Sequence, residues 1–183
     1  MLVVAEREQL PVLQARAGEP AAWDTLFRRY QMPLYVYVFE LVHDEQAGLD
    51  LVQETFIAAV RHIGGLRDDS KFGSWLFGIA HQKSIQHWRK QIREEILRDE
   101  VVGNPDGSDD SPDNLLIRRE QEAEFMHLLN ELPLSQRSVL LLHFIEDFPL
   151  EAIARITETP IGTVKSRLHY AKKLLRKMLE EKK

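Results

Sequence analysis

The 183-residue sequence contains no cysteine, and this absence excludes several kinds of chemistry. Disulfide bonds, thiolate nucleophiles and cysteine-based zinc sites all require that residue. No apolar run approaches the roughly 20 residues that a membrane-spanning helix needs, and the apolar run at the N-terminus is too short for a signal peptide. These absences predict a cytoplasmic protein without membrane insertion.

Motifs typical of enzymes are missing as well. The seven histidines are scattered and show no metal-ligand spacing, and the sequence has no glycine-rich phosphate loop and no nucleophile motif. We therefore expect no enzyme activity, no metal site and no cofactor.

The charge of the chain is distributed unevenly. The formal net charge is -5, but acidic residues concentrate within residues 94–124, whereas residues 81–93 and 155–183 are basic. Attraction to phosphate depends on a local patch of charge rather than on the sum over the chain. Both basic segments are therefore candidates for contact with nucleic acid.

Residues 101–112 are rich in Gly, Pro, Asp and Ser and lack apolar periodicity, which is typical of a linker. Helical apolar patterns lie on both sides, and no alternating strand pattern is present. The prediction is an all-α protein of two small helical domains, residues 1–93 and 116–183, joined by a flexible acidic linker over residues 94–115. The linker is either a passive tether or an acidic mimic of nucleic acid that lies in a positively charged channel of a partner.

The last third of the chain predicts a helix-turn-helix. Pro149 and Pro160 mark two helix starts, Thr159 is a candidate N-cap, and apolar residues then recur in steps of three and four at Ile161, Val164, Leu168, Ala171, Leu175 and Met178. Such a motif places its second helix in the major groove of DNA. The candidate DNA contacts on the other side of this helix are Thr163, Lys165, Ser166, Arg167, His169, Lys172 and Lys173. The alternative is that these residues only form the solvated face of a basic C-terminal helix.

Two further polar surfaces are predicted before the linker. A helix that begins near Asp44 and buries Leu49, Val52 and Phe56 leaves Asp50, Gln53 and Glu54 on its other side. The next helix opens at residues 70–73 and ends in a run that mixes aromatic, amide and basic groups, a set suited to unpaired bases and their backbone. The candidates there are Gln82, Lys83, Gln86, Arg89 and Lys90.

Four motifs occur in the order found in extracytoplasmic-function (group IV) sigma factors of bacterial RNA polymerase, which the chain resembles over about residues 22–179. They are Asp50-Leu-Val-Gln-Glu-Thr-Phe56, Phe72-Gly-Ser-Trp-Leu-Phe-Gly-Ile-Ala80, Leu132-Pro-Leu-Ser-Gln-Arg137 and Ile161-Gly-Thr-Val-Lys-Ser-Arg-Leu-His169. The resemblance implies a protein that binds core RNA polymerase and directs promoter-specific initiation, without catalytic chemistry of its own.

The resemblance also implies partners for each surface. Asp50, Gln53 and Glu54 match the contact with the β′ clamp helices, and the β subunit is a further expected contact. Lys71, Phe72 and the amide and basic set of the following helix match the part that captures single-stranded DNA at the −10 element. The basic C-terminal helix matches the part that contacts duplex DNA at the −35 element. An anti-sigma factor is an expected partner.

The sequence departs from the family pattern at Gln82 and Gln86, where relatives often have Asn and Asp or Asn, and at Glu158, a turn position often held by Gly. A non-glycine residue with positive φ at that turn would be strained, so the turn could be built differently.

Two other classes remain open at this point. An ordinary regulator with a helix-turn-helix would bind two-fold symmetric duplex sites without polymerase, and a helical adaptor would make no salt-dependent DNA contact.

Overall fold

The computed structural model describes residues 10–99 and 128–181. Within these ranges every regular element is helical, which confirms the predicted all-α fold. The helices are α1 (Val12–Arg16), α2 (Pro20–Val42), α3 (Glu45–His62), α4 (Phe72–Asp99), α5 (Leu134–Ile145), α6 (Leu150–Ile156) and α7 (Ile161–Glu181). None of the helices in these ranges is both long and apolar enough to cross a membrane.

Helices α2, α3 and α4 pack against one another and form the N-terminal bundle. Pro33 lies inside α2, and the helix continues through it to Val42. It ends at His43, whose φ of 53° is left-handed. The Asp44 side chain then accepts a hydrogen bond from the backbone N–H of Ala47 at 2.8 Å and caps α3, as the sequence predicts.

The inward face of α4 fixes this helix in the bundle. Phe72, Leu76, Phe77 and Ala80 are fully buried. The ring of Phe72 lies 5.7 Å from Tyr30 and 5.8 Å from Trp75, centroid to centroid, and such aromatic pairs contribute about 0.5–1.5 kcal/mol beyond the area that they bury. On the opposite face of α4, Gln82, Gln86, Arg89 and Lys90 are exposed.

The connection between α3 and α4 is held to α1. It contains two 3-10 turns, Ile63–Gly65 and Asp69–Lys71. The guanidinium of Arg16 donates a hydrogen bond to the carbonyl oxygen of Leu66 at 2.8 Å and also pairs with the carboxylate of Asp69. One contact lies in each half of the loop, so Arg16 holds the whole connection against α1.

Helices α5 and α6 both pack against α7 and complete the C-terminal bundle, with α6, the turn and α7 forming the predicted helix-turn-helix. The buried stripe of α7 comprises Val164, Leu168, Ala171 and Leu175, as predicted. The turn is built around Glu158, which has a φ of 50°. The hydroxyl of Thr159 is 2.9 Å from that of Thr157, rather than capping α7 as the sequence suggests.

The end of α4 corrects a predicted boundary. The helix continues to Asp99, so residues 94–99 are helical although the sequence places them in the linker. Lys90 and Glu94 form an i,i+4 ion pair at 3.8 Å, and pairs of this kind support a charged helix that has little apolar packing. The rest of the predicted linker lies outside the described residues.

Two predicted core residues are exposed. Leu49 is 49% exposed, whereas Leu51 is buried. The inward stripe of α3 runs through Gly48, which packs beside Tyr35, and not through Leu49. Ile161, the first residue of α7, is 37% exposed.

The two bundles contact each other. Helix α2 packs against α5, and α4 packs against α6. The rings of Phe77 and Phe148 meet edge to face, 5.2 Å apart. Buried residues of both bundles belong to one apolar cluster, so the described parts of the two domains share a core.

Candidate nucleic-acid interface

The outer face of α4 presents most of the residues predicted to contact single-stranded DNA. Gln82, Gln86, Arg89 and Lys90 are exposed, and Lys83 is half-buried. They recur at helical spacing, so they line one side of α4 opposite its buried aromatic face. Trp88 lies within this run and is 37% exposed, which leaves part of its ring accessible for stacking.

Lys71 is exposed at the start of the same face. Its ammonium group forms an ion pair with the Asp68 carboxylate at 2.8 Å, and Asp68 also accepts a hydrogen bond from the Ser70 hydroxyl. Hydrogen bonds from Lys71 and Ser70 lower the pKa of Asp68 to about 2. A DNA phosphate that binds Lys71 would therefore have to replace the Asp68 carboxylate as its partner.

The side chain of Phe72 is not accessible to DNA in this structure, contrary to the sequence prediction. Its side chain is fully buried between Trp23, Tyr30 and Trp75. The ring starts the inward stripe of α4, and removing it from the core to reach a base would sacrifice this packing. The presence of Phe72 in the motif is explained by its packing in the core.

The residues predicted for duplex contact follow the exposed side of α7. Lys165, Ser166, His169, Lys172 and Lys173 are exposed, whereas Thr163 and Arg167 are half-buried. Several of them already have partners. The Ser166 hydroxyl donates to the carbonyl oxygen of Thr163 at 2.9 Å, the Lys172 ammonium lies 5.3 Å from the centre of the Phe144 ring, and the ring of His169 lies 5.6 Å from that of Tyr170.

Asp50, Gln53 and Glu54 are all exposed on α3. Gln46 donates a hydrogen bond to Asp50 at 3.0 Å. Glu54 pairs with Lys83 of α4 at 2.7 Å. An acid predicted for protein docking is thus joined to a lysine predicted for DNA contact, a connection that the sequence does not reveal.

The packing of the bundles brings members of the two sets predicted to contact DNA to one cleft. A cavity of about 740 Å³ is lined by Gln82, Gln86 and Arg89 of α4 and by Arg167 of α7, among others. The amide of Gln82 also donates a hydrogen bond to the carboxylate of Glu158 in the helix-turn-helix. The sequence marks Glu158 only as an unusual turn residue, and nothing in its pattern indicates this contact.

A second cavity, of about 400 Å³, lies between the α3–α4 loop and α6. Its lining includes Leu66, Lys71 and Gln82 from the N-terminal bundle and Arg155 and Ile156 from α6. Arg155 belongs to the basic segment 155–183, but it precedes the periodic pattern of α7, so the sequence does not indicate its place in this cavity.

Comparison with known proteins identifies the family. Residues 26–94 match the family model described as Sigma-70 region 2, and residues 122–175 match Sigma-70, region 4. The chain is 30% identical over 187 residues to the RNA polymerase sigma-H factor of Pseudomonas aeruginosa, and the match covers 98% of this chain and 97% of that protein. The chain belongs to the sigma-70 family.

Its group within the family is that of the extracytoplasmic-function sigma factors. The chain is 27% identical to the ECF RNA polymerase sigma factor SigW of Bacillus subtilis, with 93% of this chain and 95% of that protein covered. The function of this sigma factor is therefore promoter recognition in the initiation of transcription.

Solved structures agree on the fold. CnrH in complex with the cytosolic domain of CnrY has a TM-score of 0.69 and 21% identity, covering 94% of this chain and 96% of that one. RpoE of Bartonella quintana, solved with the anti-sigma factor NepR, has a TM-score of 0.65 and 24% identity, covering 85% and 96%. Within residues 10–99 and 128–181 of the sigma factor, no group of three or more His, Asp or Glu side chains is placed to hold a metal ion.

His81 is the buried titratable group beside the cleft. Its Nδ1 shares a hydrogen bond of 2.7 Å with the Tyr37 hydroxyl. Burial, with a smaller contribution from the positive charge of Arg167, lowers the pKa of His81 from 6.5 to about 4. The folded sigma factor therefore holds this imidazole neutral at pH values where an unfolded chain would protonate it.

The stability of the sigma factor should fall as the pH drops from 6.5 towards 4, because the unfolded state binds a proton at His81 that the folded state does not. At pH 5 the loss from this group is about 2 kcal/mol. In urea unfolding, His81→Gln should weaken the protein at pH 8 through lost packing, and its deficit relative to the wild type should shrink at pH 5. A deficit of equal size at both pH values would contradict the assignment.

Proposed function

We propose that the sigma factor acts through three surfaces. The α3 face with Asp50, Gln53 and Glu54 binds the β′ clamp helices of core RNA polymerase, the outer face of α4 contacts and opens the −10 element, and α7 contacts the −35 element in the major groove. The observation that carries the proposal is the exposure of these three sets on helices whose opposite faces form the core.

The α3 face has the character of a protein-binding surface. Leu49, Ile57 and Val60 are 45–53% exposed on the same helix as the polar triplet. Large apolar side chains that remain in solvent beside charged groups are typical of an interaction site. Binding of polymerase would cover them and add burial to the polar contacts.

Promoter opening needs compensation for the lost stacking of bases. Unstacking a base costs a few kcal/mol, and stacking on an aromatic side chain returns about 1–3 kcal/mol per base. On α4, Trp88 supplies a partly exposed ring, Gln82 and Gln86 supply amides for base edges, and Arg89 and Lys90 supply charges for phosphates. This division of roles supports contact with the separated strand.

The C-terminal bundle has the groups needed for duplex contact. Lys165, Ser166 and Arg167 stand in the first turns of α7, the part of a recognition helix that reaches base edges. Arg167 can form a bidentate contact to guanine, and the lysines farther along α7 can bind phosphates.

The remaining assignments follow from the same mechanism. Core RNA polymerase carries out polymerisation, so the sigma factor supplies binding and no catalytic step. It works in the cytoplasm, where that enzyme is found. Residues 1–93 and 116–183 are its two functional domains, with the polymerase β subunit as a further contact. An anti-sigma factor is a proposed regulator, as RpoE of Bartonella quintana was solved with the anti-sigma factor NepR.

Transcript mapping tests the function as a whole. Core polymerase and fragmented host genomic DNA should yield discrete 5′ ends only when the sigma factor is added, and those starts should share an asymmetric two-part motif upstream. Starts that are identical with and without the protein would contradict the proposal.

Docking is tested by reversing charge on α3. Asp50→Lys with Glu54→Lys should abolish co-elution with core polymerase, because two acids at the contact become cations, while circular dichroism stays helical. The matched control is Glu19→Lys with Asp24→Lys at the exposed start of α2, which should bind as the wild type does. Retained binding by the α3 variant would exclude this surface.

The −35 contact is tested at Arg167. Arg167→Ala should relax the preference for one base and weaken binding by about 1–3 kcal/mol at that position, measured by a scan of single base changes in the mapped promoter. Arg176→Ala, at an exposed position farther along α7, should leave the base preference unchanged. An unaltered preference in the Arg167 variant would remove this residue from the contacting set.

A further inference from the structure

The loop between α3 and α4 begins with two glycines, which supply no side-chain contacts. The space that a side chain would occupy at Gly64 or at Gly65 is open. Glycine loses more conformational freedom on folding than any other residue, so this loop needs contacts from elsewhere to keep one conformation. Its position matters because Leu66 and Lys71 of the loop line one cavity with Gln82 of α4, and Lys71 and Gln82 are both predicted DNA contacts.

The second half of the loop is folded on itself. Asp68 accepts hydrogen bonds from the backbone N–H of Ser70 at 3.1 Å and from its hydroxyl at 2.6 Å, and it pairs with Lys71. The Ser74 hydroxyl donates to the carbonyl oxygen of Lys71 at 3.0 Å, which joins the end of the loop to α4. These bonds fix the shape of the turn, but they do not reach the preceding half of the loop.

Arg16, the last residue of α1, makes contacts that span both halves. Its guanidinium donates to the carbonyl oxygen of Leu66 at 2.8 Å and pairs with the carboxylate of Asp69. The side chains of Arg16 and Asp69 are 30% and 39% exposed, and the Nε of Arg16 is buried. A half-buried guanidinium that binds a carbonyl and a carboxylate at once fixes geometry better than an exposed ion pair between two flexible side chains.

Helix α1 is itself attached to the N-terminal bundle. Val12 and Ala15 are buried, and the indole N–H of Trp23 in α2 donates to the carbonyl oxygen of Ala15 at 3.0 Å. The chain then reverses at Gly18, whose φ of 86° is left-handed. Arg16 therefore reaches the loop from a fixed position, so its contacts hold the loop rather than move with it.

We propose that Arg16 is a positioning residue for opening of the −10 element, because it holds the α3–α4 loop where Lys71 meets the separated strand. The inference rests on the proposed function for the DNA-contacting roles of Lys71 and α4. Groups that contact a ligand need supporting contacts that keep them in the productive geometry, and Arg16 supplies these without touching DNA itself. Arg16 precedes residues 26–94, the part that matches Sigma-70 region 2, so the family match gives it no role.

The test separates promoter opening from promoter binding. Holoenzyme is assembled from core polymerase and the sigma factor, and a fluorescent base analogue in the −10 element of a mapped promoter reports strand separation. The dependence of the observed rate on holoenzyme concentration gives the affinity of the closed complex and the rate of opening separately. Arg16→Met should lower the opening rate by about tenfold or more, the factor expected when hydrogen bonds to a charged group are lost. The affinity of the closed complex should stay unchanged.

Variants of the loop partner show whether the effect passes through the loop. Asp69→Ala should lower the opening rate by a smaller factor than Arg16→Met, because the contact of Arg16 with Leu66 remains. The double variant should open no more slowly than Arg16→Met alone, since both changes act on one set of contacts. Asp69 lies on a partly exposed loop, so its variant tests the contact even if Arg16→Met fails to fold.

Two further variants serve as controls. Arg16→Lys keeps the positive charge beside Asp69 and should restore part of the opening rate. Arg28→Met is the matched control, because Arg28 forms an exposed ion pair with Asp24 within α2 at 2.9 Å. Its loss should leave both the opening rate and the affinity of the closed complex unchanged.

The outcomes distinguish this inference from the proposed function. An opening rate of Arg16→Met equal to that of the wild type would overturn the inference and leave the proposed function intact. A closed complex that is weakened as much as opening is slowed would also overturn it, since a general loss of folded protein gives that result. A wild-type holoenzyme that assembles yet opens no promoter would instead contradict the proposed function.

Discussion

Burial of one face of α4 is the constraint on which the rest of the structure depends. Phe72, Leu76, Phe77 and Ala80 commit that face to the core. A helix has only one other side to offer, so the amides and cations between Gln82 and Lys90 must be presented to solvent. The same burial determines the position of α3 in the bundle. It therefore also determines the position of the exposed acids Asp50 and Glu54 on that helix.

The surfaces proposed for polymerase and for DNA are physically adjacent. Glu54 of α3 reaches Lys83 of α4 at 2.7 Å, with side chains that are 57% and 27% exposed. An ion pair with this much solvent access contributes about 0–1 kcal/mol, so either residue can leave it for a stronger partner. The positions proposed for polymerase docking and for DNA contact are therefore neighbours joined by one weak ion pair.

Periodicity predicted the helices well because each has one strongly apolar stripe. The stripe of α7, the Asp44 cap of α3 and the helix-turn-helix all agree with the sequence. It failed where a pattern is ambiguous by one position, as at Leu49, where Gly48 takes the inward place. The family resemblance placed Phe72 among the DNA contacts, whereas its side chain is buried. An aromatic residue in a motif suits a base-stacking surface and a core equally, and only packing distinguishes them.

The sequence by itself determined the family, the all-α class and the residue types available on each helix, because ordered motifs and apolar spacing are local properties of the chain. Only the tertiary structure decided which of those residues meet. Arg29 and Glu146 are far apart in sequence, as are Gln82 and Glu158, and no local pattern encodes either contact. Contacts of that kind depend on how two bundles pack, which arises from the complementary shape and charge of surfaces that exist only after each bundle has formed.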